Sequence, residues 1–226
     1  GSHPPQERTW EVIDTEHTFS RFLAELKKQT TFCVDLETTG LNPAKDNVIA
    51  IGAVAIRHNA IDLGDQFDLI LRRPELDISE TVLIHGIGPE ALTQGHETED
   101  ALLHLLEWMN GDPILAYHSA FDQKFLEKAL KQTLGYTQPH TWLDVAEMLP
   151  AYFPNSKTGG KGLDNWADFF DLEVSARHHA AADAMVTAEL TLAVINKAQK
   201  SGVTSLRDFN GKLKYYRQLK NIHRQG

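Results

Sequence analysis

Three apolar runs separated by short connections lie between residues 31 and 71 of the chain. The first, Thr31–Val34, is β-branched and aromatic, and the others span residues 47–56 and 61–71, with a turn at 57–60. Runs of this length that are rich in Val, Ile and Phe are typical of buried strands. Because connections this short do not leave room for a crossover, neighbouring strands are expected to pair antiparallel.

Farther along, short apolar runs alternate with helical patterns. Residues 113–117 and 141–145 are typical of strands, whereas helical patterns begin at Thr98, after residue 117 and near Ala180. Thr98 is the predicted N-cap of its helix, and the helix from Ala180 is expected to run to about Asn196. Strands first, and then strands alternating with helices, predict a mixed α/β sheet of five strands flanked by helices.

The bulk composition is that of a chain that folds around a sizeable core. The chain has 226 residues, 42% of them hydrophobic, and Gly1-Ser2-His3 is interpreted as a tag scar. Neither a signal peptide nor a membrane-spanning apolar run is visible, so no membrane partner is expected. The single cysteine, Cys33, excludes an internal disulfide, which fits a reducing compartment. Cytoplasmic localisation is therefore expected.

The charge is distributed unevenly. The net charge is −9, yet residues 197–226 carry +7 and the remainder carries −16. The overall negative charge argues against a protein that grips nucleic acid mainly by global electrostatics. The basic segment 201–226 is predicted to form a helical extension packed on the same domain, and phosphate binding or a protein partner are the alternatives.

Asp35 and Glu37 follow the first strand run and precede a Thr-Thr-Gly turn. Side chains two residues apart on a strand point to the same face, so the two carboxylates emerge together. Like charges this close repel each other unless a cation neutralises them. Hard divalent ions prefer such oxygen ligands, so the pair predicts a metal site. The alternative is an acidic strand end that faces water.

Two more acids lie at the starts of helical patterns. Asp122 comes just after a predicted strand, and Phe125 on the apolar stripe of its helix indicates that Asp122 points inward. Asp183 lies in an Ala-rich, largely apolar helix, where a carboxylate is either a stray surface acid or a buried ligand. The alanines around it allow close approach of a substrate or of a facing strand.

Three motifs in order resemble those of the DEDDh family of 3′–5′ exonucleases. They are Asp-x-Glu-Thr-Thr-Gly at 35–40, Ala-Phe-Asp-x-x-Phe-Leu at 120–126 and His-x-x-x-x-Asp-Ala at 178–184. The family includes the proofreading subunit of bacterial replicative polymerases, ribonuclease T and oligoribonuclease. His85-Gly86-Ile87 and Leu143-Asp144 are similar to two further elements of the family. The resemblance implies a ribonuclease-H-like fold.

The resemblance also implies the composition of the metal site. Asp35, Glu37, Asp122 and Asp183 match the four acids that bind two divalent metal ions, Mg²⁺ or Mn²⁺. Asp35 corresponds to the bridging ligand, Glu37 and Asp183 complete one site, and Asp122 contributes to the second.

Two histidines compete for the role of general base. His178, five residues before Asp183, matches the DEDDh spacing and is the predicted catalytic residue. His179 occupies the position of the tyrosine in the sister DEDDy group, so a reversal of the two roles stays open.

The resemblance further implies substrate contacts. The positions that match them are Thr38, Thr39, Leu41, His85, His118 and Phe121. Many members of the family have Asn where this chain has His118, which is as readily a local hydrogen-bonding residue as a substrate contact. Phe121 is equally interpretable as a core residue beneath Asp122.

These matches imply a metal-dependent 3′–5′ exonuclease domain at residues 4–200. It would hydrolyse phosphodiester bonds from the 3′ end of single-stranded DNA or RNA and release nucleoside 5′-monophosphates. One alternative is a phosphodiesterase of very short oligonucleotides or linear second messengers. The other is a noncatalytic, polymerase-associated nucleic-acid-binding module. A DNA polymerase or other protein partner could bind through the basic C-terminal segment.

Overall fold

The computed structural model describes residues 30–76, 86–156, 162–174, 179–202, 214–215, 217–219 and 221–222. Within them, five strands form one sheet in the order β3-β2-β1-β4-β5. The strands are β1 (Thr30–Thr38), β2 (Val48–Arg57), β3 (Ala60–Ile70), β4 (Ile114–Ala116) and β5 (Trp142–Asp144). The helices that surround the sheet are α1 (Pro89–Gln94), α2 (Thr98–Met109), α3 (Ser119–Leu134), α4 (Val145–Tyr152), α5 (Leu163–Phe169) and α6 (Ala180–Lys200).

The strand pairing confirms the expected mixed sheet. β1 pairs antiparallel with β2, and β2 with β3. β4 joins the other side of β1 in parallel, and β5 runs parallel to β4. At the predicted turn between β2 and β3, His58 and Asn59 have φ angles of 53° and 64°. Two consecutive left-handed residues are typical of the tight turns that join antiparallel strands.

Alternation along β1 divides the core into two layers. Cys33 packs among residues of α4, α5 and α6 on one face of the sheet. Phe32 and Val34 pack against α2 and α3 on the other face. Each face of the sheet is therefore covered by helices, and odd-numbered positions of β1 point toward α6.

Two helix boundaries differ from the prediction. Glu97, not Thr98, is the N-cap of α2, and the Thr98 hydroxyl donates a hydrogen bond to the Arg72 carbonyl at 3.5 Å. Thr98 already has a helical backbone, and its side chain bonds outside the helix rather than to the helix's own amides. α6 continues to Lys200, past the expected end at Asn196. No helix in the described ranges combines the length and the apolar character that crossing a membrane requires.

Several predicted features lie outside the described residues. They include His85, His178 and most of the basic segment 201–226. From the described part of that segment, the Arg217 guanidinium donates to the carboxylate of Glu147 in α4. The domain boundaries and the role of this segment remain predictions.

Candidate active site

Three carboxylates converge at the C-terminal end of β1. Oxygen atoms of Asp35, Glu37 and Asp183 all lie within 4.8 Å of one another. Asp35 and Glu37 point toward α6 because they share the alternation of Cys33. Asp183 lies in the first turn of α6, where the helix dipole favours a negative charge, and it is buried. The predicted association of these three acids is present in the structure.

Contact between α6 and the sheet brings Asp183 to this position. Gly52 of β2 is paired with Asp35, and the start of α6 packs directly on it. A Cβ atom on Gly52 would lie 2.1 Å from the carbonyl carbon of Ala180. Only glycine leaves room for the helix backbone here. The Ala-rich start of α6 therefore does allow close approach to a facing strand.

Asp122 lies beside the cluster rather than within it. Its carboxylate is buried, and its Oδ1 accepts a hydrogen bond from the Leu36 amide at 3.1 Å. The short strand β4 ends at Ala116 and does not extend alongside Leu36. The Asp122 carboxylate accepts the hydrogen bond of the Leu36 amide in its place. Burial raises the pKa of Asp122 well above its ordinary value, opposed by the Leu36 hydrogen bond and reinforced by the negative charge of Glu37.

The donor set fits a hard divalent cation. Three carboxylates whose oxygens lie within 4.8 Å repel one another strongly in a partly buried site. A divalent ion reverses this repulsion, and carboxylate oxygens without sulfur or imidazole are the ligands that Mg²⁺ and Mn²⁺ prefer. An acid cluster that could bind metal is therefore part of the described structure.

The turn after β1 is held by a dense set of hydrogen bonds. The Thr38 hydroxyl donates to the Gly40 carbonyl at 2.7 Å. The Asp46 carboxylate accepts from the Thr39 hydroxyl at 3.2 Å and from the Asn42 amide at 2.9 Å. Leu41 at the tip of this turn is 84% exposed. The turn thus presents a large apolar side chain to solvent on a fixed backbone.

The described histidine of the pair His178/His179 lies at the rim of the site. His179 is the N-cap residue of α6, and its Nε2 lies 4.0 Å from Oδ1 of Asp68. A small pocket that includes Glu37 and Ala180 is lined by both side chains. His179 at the start of α6 and Asp68 on β3 therefore share a pocket with Glu37, one acid of the cluster.

The two remaining predicted contacts lie at the start of α3. His118 is exposed and adopts a left-handed backbone with φ 59° and ψ 57°. Phe121 is half-buried, and its ring centroid lies 4.7 Å from that of Phe125. Phe121 thus contacts the core layer of α2 and α3.

Three residues that shape the site were not singled out from the sequence as site residues. Asp68 lies opposite Gly52, in the cross-strand row that starts at Asp35, so alternation in β3 is the signal that could have revealed it. Gly52 acts through contact with the distant Ala180, and Asp46 acts through bonds within the turn after β1, neither of which has a periodic signature in the sequence.

Comparison with known proteins identifies the family. The RNase T exonuclease family model matches residues 32–191. A PolC-type DNA polymerase III from Caldanaerobacter subterraneus subsp. tengcongensis is 32% identical over 180 residues, covering 79% of this chain and 12% of the relative. The PolC-type polymerase of Thermotoga maritima is 31% identical over 198 residues, covering 85% of this chain and 14% of the relative. The chain thus spans only about one eighth of the length of these curated relatives.

Solved structures share the fold. The zinc-bound complex of E. coli Exonuclease I with single-stranded DNA matches with a TM-score of 0.65 at 18% identity, covering 78% of this chain and 42% of that one. Exonuclease X in complex with 5′-overhanging duplex DNA matches with a TM-score of 0.60 at 19% identity, covering 75% and 93%. The ribonuclease-H-like sheet and the family match agree: this chain belongs to the RNase T family of exonucleases.

Proposed function

We propose that this protein is a metal-dependent 3′–5′ exonuclease that removes nucleoside 5′-monophosphates from single-stranded DNA or RNA. The observation that carries the proposal is the convergence of Asp35, Glu37 and Asp183 within 4.8 Å. The family match and the likeness to Exonuclease I and Exonuclease X support it. Asp122, held against Leu36, would complete the acidic set from the other side of β1.

In this proposal the four acids hold two divalent ions, Mg²⁺ or Mn²⁺. When bound, such ions activate the attacking water and neutralise charge on the scissile phosphate and the leaving oxygen. Asp35 would be the ligand shared by the two ions, Glu37 and Asp183 would complete one ion site, and Asp122 would contribute to the other.

The base that takes the proton of the attacking water is proposed to be His178. His179 is the alternative, because it lines the pocket that also contains Glu37. An imidazole suits this step because its ordinary pKa is close to neutrality. His178→Ala and His179→Ala variants separate the two assignments, since only loss of the base should abolish the rise of kcat with pH.

The turn at Thr38–Leu41 is the proposed contact for the terminal nucleotide. Leu41 offers apolar surface to a base, and Thr38 and Thr39 lie on a backbone already held by Asp46. His118 and Phe121 would approach the same strand end from α3, and His85 from the segment before α1. Binding one strand end through metals and a small turn is compatible with a net charge of −9.

Two other functions are tested by the same experiment. The protein is incubated with 5′-labelled single-stranded DNA and RNA of matched sequence, with Mn²⁺, with Mg²⁺ or with EDTA. We expect a ladder shortening from the 3′ end, release of nucleoside 5′-monophosphates and no reaction in EDTA. A matched strand with a 3′-terminal phosphate serves as the control for polarity.

Activity confined to dinucleotides would instead indicate a phosphodiesterase of very short substrates. Binding of strands without hydrolysis under any metal condition would indicate a noncatalytic module, and the nuclease proposal would then be wrong. The DNA-to-RNA rate ratio in the same assay assigns the substrate class.

A further inference from the structure

The start of helix α3 is strained, and this helix carries Asp122. His118, the residue before the helix, has a left-handed backbone at φ 59° and ψ 57°. A residue other than glycine in this region costs about 1–2 kcal/mol. The side chain of His118 does not cap the helix either. Another group must therefore hold this backbone in place.

Asp144, at the end of strand β5, supplies that group. Its Oδ1 accepts from the His118 amide at 2.9 Å and from the Ser119 amide at 3.3 Å. The same oxygen accepts from the Ala146 amide at 3.1 Å, so Asp144 also caps α4. β5 pairs with β4 through Asp144 and Ala116, which places the carboxylate beside the point where β4 leads into α3. One oxygen thus fixes the starts of two helices.

This fixed start determines where Asp122 lies. Asp122 is three residues after Ser119, in the first turn of α3. Its Oδ1 bonds to the amide of Leu36, the residue between Asp35 and Glu37 on β1. A shift of the α3 start would move the Asp122 carboxylate relative to both of these acids. The path from Asp144 to the metal site therefore runs through a single helical turn.

We propose that Asp144 is a positioning residue that sets the place of Asp122 beside the acid cluster. The inference deepens the proposed function, because it identifies what holds one of the four proposed metal ligands. All three amides bond to the same oxygen atom, so the positioning role requires an acceptor oxygen at this place. The side-chain carbonyl of asparagine offers these amides an acceptor oxygen without the charge.

The experiment compares three variants with the parent protein. Asp144→Ala removes the acceptor, and Asp144→Asn keeps it. Asp65→Ala is the control, because Asp65 accepts from Arg57 at 2.6 Å and from Trp108 at 2.7 Å, with neither contact at α3. Urea unfolding measures the loss of stability in each variant. Mn²⁺ binding is measured by electron paramagnetic resonance, and exchange of the Leu36 amide by NMR.

We expect Asp144→Ala to weaken Mn²⁺ binding about 10-fold, as loss of a residue that orients a ligand does. Leu36 should exchange faster in this variant than in an equally destabilised Asp65→Ala protein. Asp144→Asn should bind Mn²⁺ and protect Leu36 nearly as well as the parent. Unchanged Leu36 exchange in Asp144→Ala would overturn the inference, and so would an Asn variant as defective as the Ala variant.

The two proposals fail separately. If the parent protein neither binds Mn²⁺ nor trims strands, the proposed function is wrong. Dependence of Leu36 exchange on Asp144 would still support the positioning role in that case, because this measurement requires no metal.

Discussion

Gly52 of strand β2 and Ala180 of helix α6 touch backbone to backbone, so that a methyl group on Gly52 would lie 2.1 Å from the Ala180 carbonyl carbon. We predict that Gly52→Ala pushes α6 away from the sheet and lowers the free energy of unfolding by about 1–3 kcal/mol. Because Asp183 moves with α6, nuclease activity should fall even under conditions in which the variant is still fully folded. Urea unfolding and nuclease assays at saturating Mn²⁺ measure the two effects.

The matched control for this variant is Gly64→Ala in β3. The nearest atom to a Cβ on Gly64 is Oδ1 of Asp62 at 3.6 Å, an ordinary contact. This variant should keep both stability and activity. A Gly52→Ala protein as active as Gly64→Ala would show that contact with β2 does not position Asp183.

Removing one carboxylate of the cluster separates metal binding from folding. We predict that Asp183→Asn lowers kcat by more than about 100-fold, because an amide is a weaker ligand than a carboxylate. The metal-free variant should be at least as stable as the parent, because one of three repelling charges is gone. Calorimetric Mn²⁺ titration and thermal unfolding in EDTA provide the measurements.

Glu189→Gln is the control, since Glu189 lies on the same helix but outside the acid cluster. It should bind Mn²⁺ as the parent does. Full activity in Asp183→Asn would contradict the assignment of Asp183 as a metal ligand.

The turn that presents Leu41 depends on Asp46. We predict that Asp46→Ala removes the acceptor of the Thr39 hydroxyl and of the Asn42 amide, so that the turn samples other conformations. The KM for a single-stranded substrate should then rise by about 10-fold. Ordering a mobile turn costs free energy, and this cost weakens substrate binding. The kcat should stay nearly constant, because the proposed metal ligands are unaffected. Steady-state kinetics on one oligonucleotide separate these parameters.

Lys45→Ala is the neighbouring control, because Lys45 is exposed and contributes only backbone to the turn. An effect of Asp46→Ala on kcat rather than on KM would contradict the role proposed for this turn.

His140, which lies outside the acid cluster, should make the stability of the fold depend on pH. Burial lowers the pKa of His140 from 6.5 to about 4, and its Nε2 lies 2.7 Å from the Tyr136 hydroxyl. The unfolded chain therefore binds a proton between pH 6.5 and 4 that the folded chain does not. This contribution to stability is complete above pH 6.5 and is lost as the pH falls toward 4. The loss is at most about 3 kcal/mol.

Urea unfolding at pH 7.5 and pH 4.5 tests this sign. His140→Gln should lose less stability than the parent between these two values, whereas His96→Gln at the surface should lose as much as the parent. Equal losses of stability in the parent and in His140→Gln would contradict the lowered pKa of His140.

Local pattern was sufficient to predict that Asp35 and Glu37 share one face of β1. Alternation alone places Asp35 and Glu37 on one face, and the apolar stripe of α3 turns Asp122 inward, as observed. Pattern could not show that Asp122 would bond to Leu36, because that contact depends on how far β4 extends beside β1. The length of a three-residue strand is decided by its neighbours rather than by its own residues.

Contacts that form only in the folded chain explain the other omissions. Asp144 accepts hydrogen bonds from the His118 and Ser119 amides only because β5 pairs with β4 next to the start of α3. Asp46 reaches Thr39 across a turn whose shape depends on several bonds at once. Neither relationship has a periodic signature, so both require the folded chain to be recognised.

The alternation of β1 also limits how this protein can change over evolutionary time. Substitutions in β1 can alter packing one side chain at a time. A single inserted or deleted residue just before Asp35, in contrast, would turn both carboxylates into the apolar layer of α2 and α3 and bring Leu36 to the face of Asp183. Length variation among descendants of this sequence should therefore be found in the connecting segments and not in this strand.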